Sequence, residues 1–421
     1  MRRKPHIIAF DMIRLIIMAF VVGVHTLAIG GGKVTLALGS VVTVFHTSRE
    51  LFFLLTAVVL VYNYGHRENV NWLQFWRRRY WLVVPAYVAW SAIFFAADHD
   101  LHGSFGSIAS AFGHDLLNAG ARYHLYFLLV TMQVYALFPV IRWVLRKTAG
   151  QHVLLFAAAC VYQVLLNAAL QYHWFRGGLP GAALAAAGKS IWAYSYVLYI
   201  LGGAIVGWHL DRVCEVTRRY ASAMSVTLVA AFGVAAGMGM YFFRVEVSGA
   251  TTGAASQVFQ PVVVIEALCF GWALLAGGLL WTDRGAPARK FFAAGSASSF
   301  GIYLAHPLVL QYVLVLASGS GFLSLVRSSG GVLELLALLG LFVPVIYAGA
   351  WVIASAARRT PLSLALTGRE RQARKAEQGQ RVEPAAKPEK TAELSEASSS
   401  SLFIPSWRWP RWSRRSSQAG R

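Results

Sequence analysis

The sequence predicts an all-α fold: a polytopic transmembrane helical bundle of about ten spans, followed by a disordered basic cytoplasmic tail. Hydrophobic residues make up 57% of the 421 residues and charged residues only 13%, which is typical of a multi-pass membrane protein. Lys and Arg lie mainly in short segments between long apolar runs and near the C-terminus. We therefore expect a transmembrane domain at 1–357 and a tail at 358–421.

A membrane-spanning helix needs about 20 mostly apolar residues. The runs that meet this requirement are 7–30, 41–64, 80–97, 123–141, 152–170, 190–208, 222–243, 259–281, 296–317 and 333–356. The segment 101–120 is richer in small and polar residues, so we expect an extracytoplasmic interfacial or re-entrant helix there.

The distribution of basic residues predicts the orientation of these spans. With the N-terminus inside, the inside segments before the tail carry sixteen Lys and Arg residues and the outside loops carry six. This asymmetry follows the positive-inside rule. We expect a multi-pass protein of the plasma membrane whose N- and C-termini are both cytoplasmic.

The net charge of +20 does not indicate nucleic-acid binding, because no basic groove or stacking motif accompanies it. The three cysteines, Cys160, Cys214 and Cys269, lack the spacing of metal ligands, and a disulfide framework is not expected. We expect no metal site. The first apolar run is too long for a cleavable signal peptide and lacks its cleavage site.

The first span carries three ionisable side chains, Asp11, Arg14 and His25. Arg14 and His25 are eleven residues apart, so on a helix they share one face about 16 Å apart along the axis. Asp11 is within pairing reach of Arg14 on that face. Charged groups in a bilayer are costly, so this stripe faces either a polar cavity or neighbouring helices that it tethers.

The second span has a similar group in its outer half: His46, Arg49 and Glu50. His46 and Glu50 are four residues apart and can touch on a helix. Glu50 is the best candidate to orient His25 or to raise its basicity. Arg49 either compensates Glu50 or binds an oxyanion. The alternative is a self-contained Arg49–Glu50 pair without a chemical role.

Three consecutive arginines, Arg77, Arg78 and Arg79, precede the third span. Arginine binds phosphate bidentately, which suggests a clamp for a phosphorylated cytosolic donor. Membrane topology alone also explains basic residues at this position.

The ninth span contains Tyr303 and His306 on one face, followed by Pro307, which we expect to kink the helix. His124 lies at the outer edge of the fourth span. These side chains are candidates to line a cavity, and a packed, hydrogen-bonded histidine is the alternative.

Four motifs in order resemble the acyltransferase-3 superfamily of integral membrane acyltransferases. They are "FDMIRLIIMAFVVGVH", which resembles the first-helix pattern of Asp-x-x-Arg, ten residues and His; "ELFFLLTAVVL"; "HLYFLLVTMQVYALFP"; and "GIYLAHP". The resemblance covers most of residues 6–356. The family's third helix often carries Arg-x-x-Arg-x-x-Pro, whereas here Leu82 stands at the second arginine between Arg79 and Pro85.

The resemblance implies transfer of an acyl group, often acetyl, from cytosolic acyl-CoA to a hydroxyl of a cell-surface or exported saccharide or a small molecule. It places the chain among stand-alone members of the superfamily. His25 is then the general base or a transient acyl carrier. Asp11, Arg14, Arg49 and Glu50 assist it, and Arg77–Arg79 hold the donor.

Two other classes of function also fit intramembrane charges. A glycan or lipid transporter or flippase needs a polar path across the bilayer, but the sequence shows no inverted repeat of broken helices. A membrane scaffold or sensor would tolerate replacement of the charged side chains as long as it still folds.

The tail ends in alternating Trp and Arg residues, "LFIPSWRWPRWSRR". Tryptophan favours the headgroup level of a bilayer and arginine favours anionic lipids, so this end is either a peripheral membrane anchor or a solvated tail. A blue shift of Trp fluorescence on anionic vesicles is expected for an anchor, and its absence rules the anchor out.

Overall fold

A computed structural model describes residues 5–98, 102–175 and 177–371, and every regular element in these ranges is helical. The α-helices in chain order are α1 Ala9–Gly30, α2 Leu36–Phe45, α3 Thr47–Tyr64, α4 Trp72–Asp98, α5 Phe105–Asn118, α6 Tyr126–Lys147, α7 His152–Tyr172, α8 Gly178–Gly188, α9 Val197–Trp208, α10 Leu210–Tyr220, α11 Ala223–Phe242, α12 Thr252–Ala255, α13 Pro261–Asp283, α14 Arg289–Gly319, α15 Phe322–Ser329, α16 Gly331–Ala337, α17 Val343–Ala357 and α18 Ser363–Thr367. A 3₁₀ turn precedes α9 at Ala193–Tyr196, and π-helical turns lie at Phe243–Val247 and Leu338–Phe342.

The all-α bundle predicted from the sequence is confirmed. Within the described ranges, nine helices are long and apolar enough to cross a membrane. A tenth candidate is the pair Gly178–Gly188 and Ala193–Trp208, which is bent by 70° at a short break. Each of the ten predicted apolar runs corresponds to one of these candidates. The sixth candidate is not a single straight helix, because the axes of its two helical segments differ in direction by 70°.

The second span is longer than expected, running over Leu36–Tyr64. It consists of α2 and α3, which meet at His46. The side chain of His46 leaves this junction toward the loop before α13, where its Nε2 atom lies 3.1 Å from the carbonyl oxygen of Ser256. His46 therefore fixes the junction to a distant part of the chain.

Helix α1 lies at the centre of the bundle. It packs against α14, α13, α2, α3 and α17, and more than half of its residues are buried. A central helix surrounded by other helices can carry ionisable side chains without exposing them to lipid. The bundle thus provides the protein environment that the polar stripe of this helix requires.

Close approach of α3 and α9 depends on two small residues, Gly203 and Gly207. A Cβ atom on Gly203 would lie 2.3 Å from the carbonyl oxygen of Leu54, and one on Gly207 would lie 2.5 Å from that of Val58. Glycines four residues apart allow membrane helices to pack backbone against backbone. This contact holds α3, with Arg49 and Glu50, in place.

Helix α14 continues through Pro307 as one helix of 31 residues. Helix α5 forms within the segment for which an interfacial helix was predicted, and none of its residues is buried. The hydroxyl of Tyr87 on α4 donates a hydrogen bond to the carbonyl of Leu116 and attaches α5 to the bundle. The position of α5 at the membrane surface stays a prediction.

The bundle extends beyond residue 357, the predicted end of the transmembrane domain. Residues 358–371 include α18, which packs against α4, α14 and α17. Its sequence favours the tail, because most of residues 358–371 are small, polar or charged and the segment is too short for a span. The remaining tail, with its predicted disorder and its Trp/Arg-rich end, lies outside the described residues.

Candidate functional site

Three histidines from distant parts of the chain form a cluster at one end of α1. The ring of His25 lies 4.5 Å from that of Tyr123 and 5.4 Å from that of His306, between centroids. The ring of His306 lies 5.5 Å from that of His124. We call His25, His124 and His306 the histidine cluster. Three of the predicted site residues, which lie on or next to three separate helices, are therefore close together in the structure.

Only one member of the histidine cluster is accessible. His124 is 1% exposed and His306 is completely buried, whereas His25 is partly exposed. A histidine that exchanges protons with a substrate must reach it within hydrogen-bond distance. His25 is therefore the member that can meet a substrate, and the other two form the wall behind it.

Hydrogen bonds to backbone carbonyls fix this wall. The Tyr303 hydroxyl donates to the carbonyl oxygen of His124. His306 Nδ1 lies 2.6 Å from the carbonyl oxygen of Tyr303, so Nδ1 carries the proton and donates. His306 Nε2 is then an acceptor, and it is buried with no partner among the described residues.

Glu50 is bound to Arg49 and not to a histidine. Arg49 Nε donates to Glu50 Oε1 at 2.9 Å, and Nη2 donates to the same oxygen. The expected contact of Glu50 with His46 is wrong because His46 bonds to Ser256, and the expected support of His25 is replaced by the rings of Tyr123 and His306. The other carboxylate oxygen of Glu50, Oε2, is buried with no hydrogen-bond partner among the described residues.

The pair Arg49–Glu50 is deeply buried, at 8% and 1% exposure. The Arg49 guanidinium also lies over two aromatic rings, 5.0 Å from the centroid of Tyr196 and 4.7 Å from that of Phe259. Cation–π contacts of this kind stabilise a desolvated cation. Arg49 Nη2 also donates to the carbonyl oxygen of Val258 at 3.4 Å, and a role of the pair in chemistry stays a prediction.

At the other end of α1, Asp11 pairs with His6 and not with Arg14. Asp11 Oδ2 lies 2.7 Å from His6 Nε2. Arg14 Nη1 donates instead to the Ser296 hydroxyl on α14, at 3.4 Å. The predicted Asp11–Arg14 pair is therefore wrong, because a flanking histidine reaches the carboxylate first.

The three consecutive arginines before the third span differ in exposure. Arg77 and Arg78 are exposed, whereas Arg79 is half-buried and its Nε atom is buried with no partner in the described part of the chain. The Arg79 guanidinium lies 5.7 Å from the ring centroid of Tyr135, which is also within electrostatic range of Arg14. Of the three, Arg79 is the one that faces the interior.

Two more arginines lie near this end of α1, and no motif in the sequence selects them. Arg358 follows α17, and its buried Nε atom has no partner within the described ranges. Arg369 follows α18 and is within electrostatic range of Arg358, Arg14 and Asp11. We call Arg14, Arg79, Arg358 and Arg369 the arginine cluster.

A cavity of about 810 Å³ opens beside His46. Its walls include residues of α7, α8 and the loop before α13, among them His173, Phe175, Ser256 and Phe259. Phe259 is one of the two rings that the Arg49 guanidinium contacts. The cavity combines aromatic and polar groups on the side of the bundle that carries His46.

Sequence reasoning missed several residues of the site. Tyr123 is the nearest ring to His25, but an aromatic residue at the end of a span gave no distinct signal. Glu266 on α13 is fully buried, and neither of its carboxylate oxygens has a partner among the described residues. Glu266, like Glu50, is an acidic residue within a predicted span, so the criterion that selected Glu50 also selects Glu266.

No group of three or more His, Cys, Asp or Glu side chains in the described part of the chain is arranged to hold a metal ion.

The fold and the site together define a multi-pass helical membrane protein with ionisable groups along its central helix. A model of the acyltransferase-3 family, described as "Acyltransferase domain", matches residues 7–354, and the chain therefore belongs to this family of membrane acyltransferases. No curated protein and no solved structure matches the chain. The matched region contains the histidine cluster and ends before Arg358 and Arg369.

Proposed function

We propose that the protein transfers an acyl group, most simply acetyl, from acyl-CoA to a hydroxyl of a cell-surface or exported saccharide. The observation that carries this proposal is the polarity of α1. One end of the helix presents His25, the accessible member of the histidine cluster, and the other end presents Arg14 in the arginine cluster. The two ends lie about 16 Å apart along the helix axis.

This separation suits the chemistry of an acyl-CoA donor. Coenzyme A has its phosphates at one end and its thioester at the other, joined by the long pantetheine arm. Arginine guanidinium groups bind phosphates through paired, charge-assisted hydrogen bonds. The arginine cluster would hold the phosphates while the thioester reaches the histidine cluster.

His25 acts in this mechanism as a general base. Its imidazole takes the proton of the acceptor hydroxyl, whose oxygen forms a bond to the thioester carbonyl carbon. The tetrahedral intermediate collapses, the carbon–sulfur bond breaks and coenzyme A leaves as a thiolate. The imidazolium of His25 returns the proton to that sulfur, so no further reactant is needed. His306 and Tyr123, packed on the ring, fix its orientation.

The acceptor would enter from the side of His46. The cavity of about 810 Å³ has room for a short saccharide, and its aromatic and polar walls suit sugar rings and hydroxyls. The excess of Lys and Arg in alternate loops supports an orientation in which the arginine cluster faces the cytoplasm. The donor then comes from the cytosol and the acceptor from the outer face of the plasma membrane.

The experiment that tests this function uses the purified full chain in phosphatidylcholine nanodiscs. We expect it to bind coenzyme A and to move label from [¹⁴C]acetyl-CoA to envelope glycans taken from cells that lack the gene. The label should be released by mild alkali, which cleaves oxygen esters. Translocation of a glycan without coenzyme A binding or label transfer would identify a transporter and contradict the proposal.

A further inference from the structure

The short helix α18 is held firmly at one end of the bundle. The indole Nε1 of Trp90 on α4 donates to the carbonyl oxygen of Leu366 at 3.1 Å. The Ser363 hydroxyl donates to the carbonyl oxygen of Arg369 at 2.8 Å and closes the turn that follows the helix. Ser363 and Thr367 are buried. This segment is therefore a positioned part of the protein interior.

Gly368 brings the backbone against α4 at one particular residue. Its φ is +59°, a conformation that side-chain-bearing residues rarely adopt. A Cβ atom on Gly368 would lie 2.7 Å from the carbonyl oxygen of Leu82 and 2.4 Å from the ring of Phe300. The residue after Gly368, Arg369, is thus delivered to the neighbourhood of Leu82.

Arg369 lies within electrostatic range of charged side chains from two other parts of the chain, α1 and the end of α17. Burial lowers the pKa of Arg369 to about 10, and the positive charges of Arg358 and Arg14 act in the same direction, whereas Asp11 opposes them. The guanidinium is still charged at neutral pH. The carboxylate that acts on Arg369, Asp11, is already bound by His6.

Several guanidinium groups close together repel one another unless an anion is bound between them. The arginine cluster contributes buried, unpartnered Nε atoms from Arg79 and Arg358, as counted within the described ranges. A phosphate group has the charge and the acceptor oxygens to satisfy such donors. The arrangement therefore fits a phosphate better than a structural carboxylate.

We propose that Arg369, carried by α18, binds a phosphate of the acyl-CoA donor in place of the arginine that Leu82 lacks. The pattern Arg-x-x-Arg-x-x-Pro is interrupted in this chain at Leu82, and Gly368 packs on the backbone of that same residue. The substitute guanidinium comes from the segment beyond residues 7–354, the region that the family model matches. This inference rests on the proposed function, since it assigns a ligand to the same donor site.

The test is a binding titration of the full chain in phosphatidylcholine nanodiscs, with coenzyme A and, separately, pantetheine, which has no phosphate. Arg369→Ala should raise the Kd for coenzyme A about tenfold or more, the effect of losing one charge-assisted hydrogen bond. Its Kd for pantetheine should not change. Arg369→Lys should bind coenzyme A with an intermediate Kd, because lysine keeps the charge and loses the fork geometry.

Two further variants separate a phosphate ligand from a structural role. Arg369→Ala combined with Leu82→Arg should recover most of the affinity for coenzyme A, because it places a guanidinium on the residue whose backbone Gly368 contacts. Arg359→Ala, an exposed arginine in the same segment, should bind like the wild type. All variants are measured in the same phosphatidylcholine nanodiscs, whose lipid has no net charge, so competition from an anionic lipid cannot cause the difference.

The outcomes distinguish the two proposals. If the wild type does not bind coenzyme A, the proposed function fails and this inference fails with it. If the wild type binds and Arg369→Ala binds equally well, this inference alone is overturned. Equal loss of coenzyme A and pantetheine binding in Arg369→Ala would also overturn it, because the residue would then only support the fold.

Discussion

The ring of His25 stacks on the ring of His306, with 5.4 Å between the centroids and 23° between the planes. The two residues are separated by most of the chain, so only the packing of α1 against α14 brings them together. His306 is in turn fixed by the carbonyl of Tyr303, and Tyr303 by that of His124. The orientation of the accessible histidine thus depends on a buried chain of contacts.

Tyr303→Phe tests this chain of contacts. Loss of the hydroxyl leaves the carbonyl of His124 without its donor, which should lower the free energy of unfolding by about 1–3 kcal/mol. We expect kcat for acyl transfer to fall while the KM for the donor stays constant, because the contacts orient the base and do not touch the donor phosphates. Kinetics and thermal unfolding in detergent measure both effects.

Tyr312→Phe is the matched control for Tyr303→Phe, since Tyr312 lies on the same helix and is 63% exposed. It should leave kcat and the melting temperature unchanged. Equal behaviour of the two variants would show that the Tyr303 hydroxyl has no positioning role.

Arg49→Ala should destabilise the protein strongly, because it leaves the Glu50 carboxylate buried without a partner. Breaking such a pair from one side typically costs about 3–5 kcal/mol. Glu50→Gln should cost less, since the amide oxygen still accepts from Arg49. Thermal unfolding in nanodiscs checks the order.

The control for the buried pair is an exposed one, Arg218–Asp283, whose side chains are 47% and 46% exposed. Exposed ion pairs contribute about 0–1 kcal/mol, so Arg218→Ala should have little effect. A small effect of Arg49→Ala as well would mean that Arg49 is hydrated in the bilayer and is not sealed by Tyr196 and Phe259.

Gly207→Ala should separate α3 from α9. The added Cβ atom would lie 2.5 Å from the carbonyl oxygen of Val58, and overpacking of this kind costs about 1–3 kcal/mol. Gly239→Ala on α11, where no atom lies within 4 Å of the new Cβ, is the control and should be neutral or slightly stabilising. The melting temperatures of the two variants give the comparison. Equal values would contradict the close packing of α3 and α9.

Mass spectrometry of the intact protein decides between a base and an acyl carrier at His25. A general base never bonds to the acyl group, so incubation with acetyl-CoA without an acceptor should leave the protein mass unchanged. A stable or trapped acetyl adduct that His25→Ala lacks would make His25 a carrier instead.

The spans were predictable from the sequence because each one is a mostly apolar run of about the length that a bilayer demands. His25, His124 and His306 could also be selected from the sequence, since ionisable side chains in or at the edge of such runs are rare, and the structure brings their rings together. Their role in catalysis stays a prediction. Their partners were not predictable. The ring of His25 packs on those of Tyr123 and His306 because α1 lies against distant parts of the chain, and no spacing rule contains such contacts. The Arg49–Glu50 pair, in contrast, was one of the predicted alternatives.

Arg369 shows a second limit of prediction from sequence. Its segment is short and polar, so composition assigns it to the tail, and only the contacts of Gly368 and Leu366 with α4 reveal that it belongs to the bundle. Arg77 and Arg78 show the reverse case. In the sequence they are equivalent to Arg79, but their positions on the helix leave Arg77 and Arg78 exposed, whereas Arg79 is half-buried.

The measurement that tests the central claim most directly is single-turnover acetyl transfer by His25→Ala in nanodiscs, together with its Kd for coenzyme A. Removing a general base should slow transfer about 10²–10⁴-fold and leave the Kd unchanged. His114→Ala, whose side chain is 75% exposed on α5, is the control and should transfer at the wild-type rate. Wild-type transfer by a folded His25→Ala protein would contradict the account.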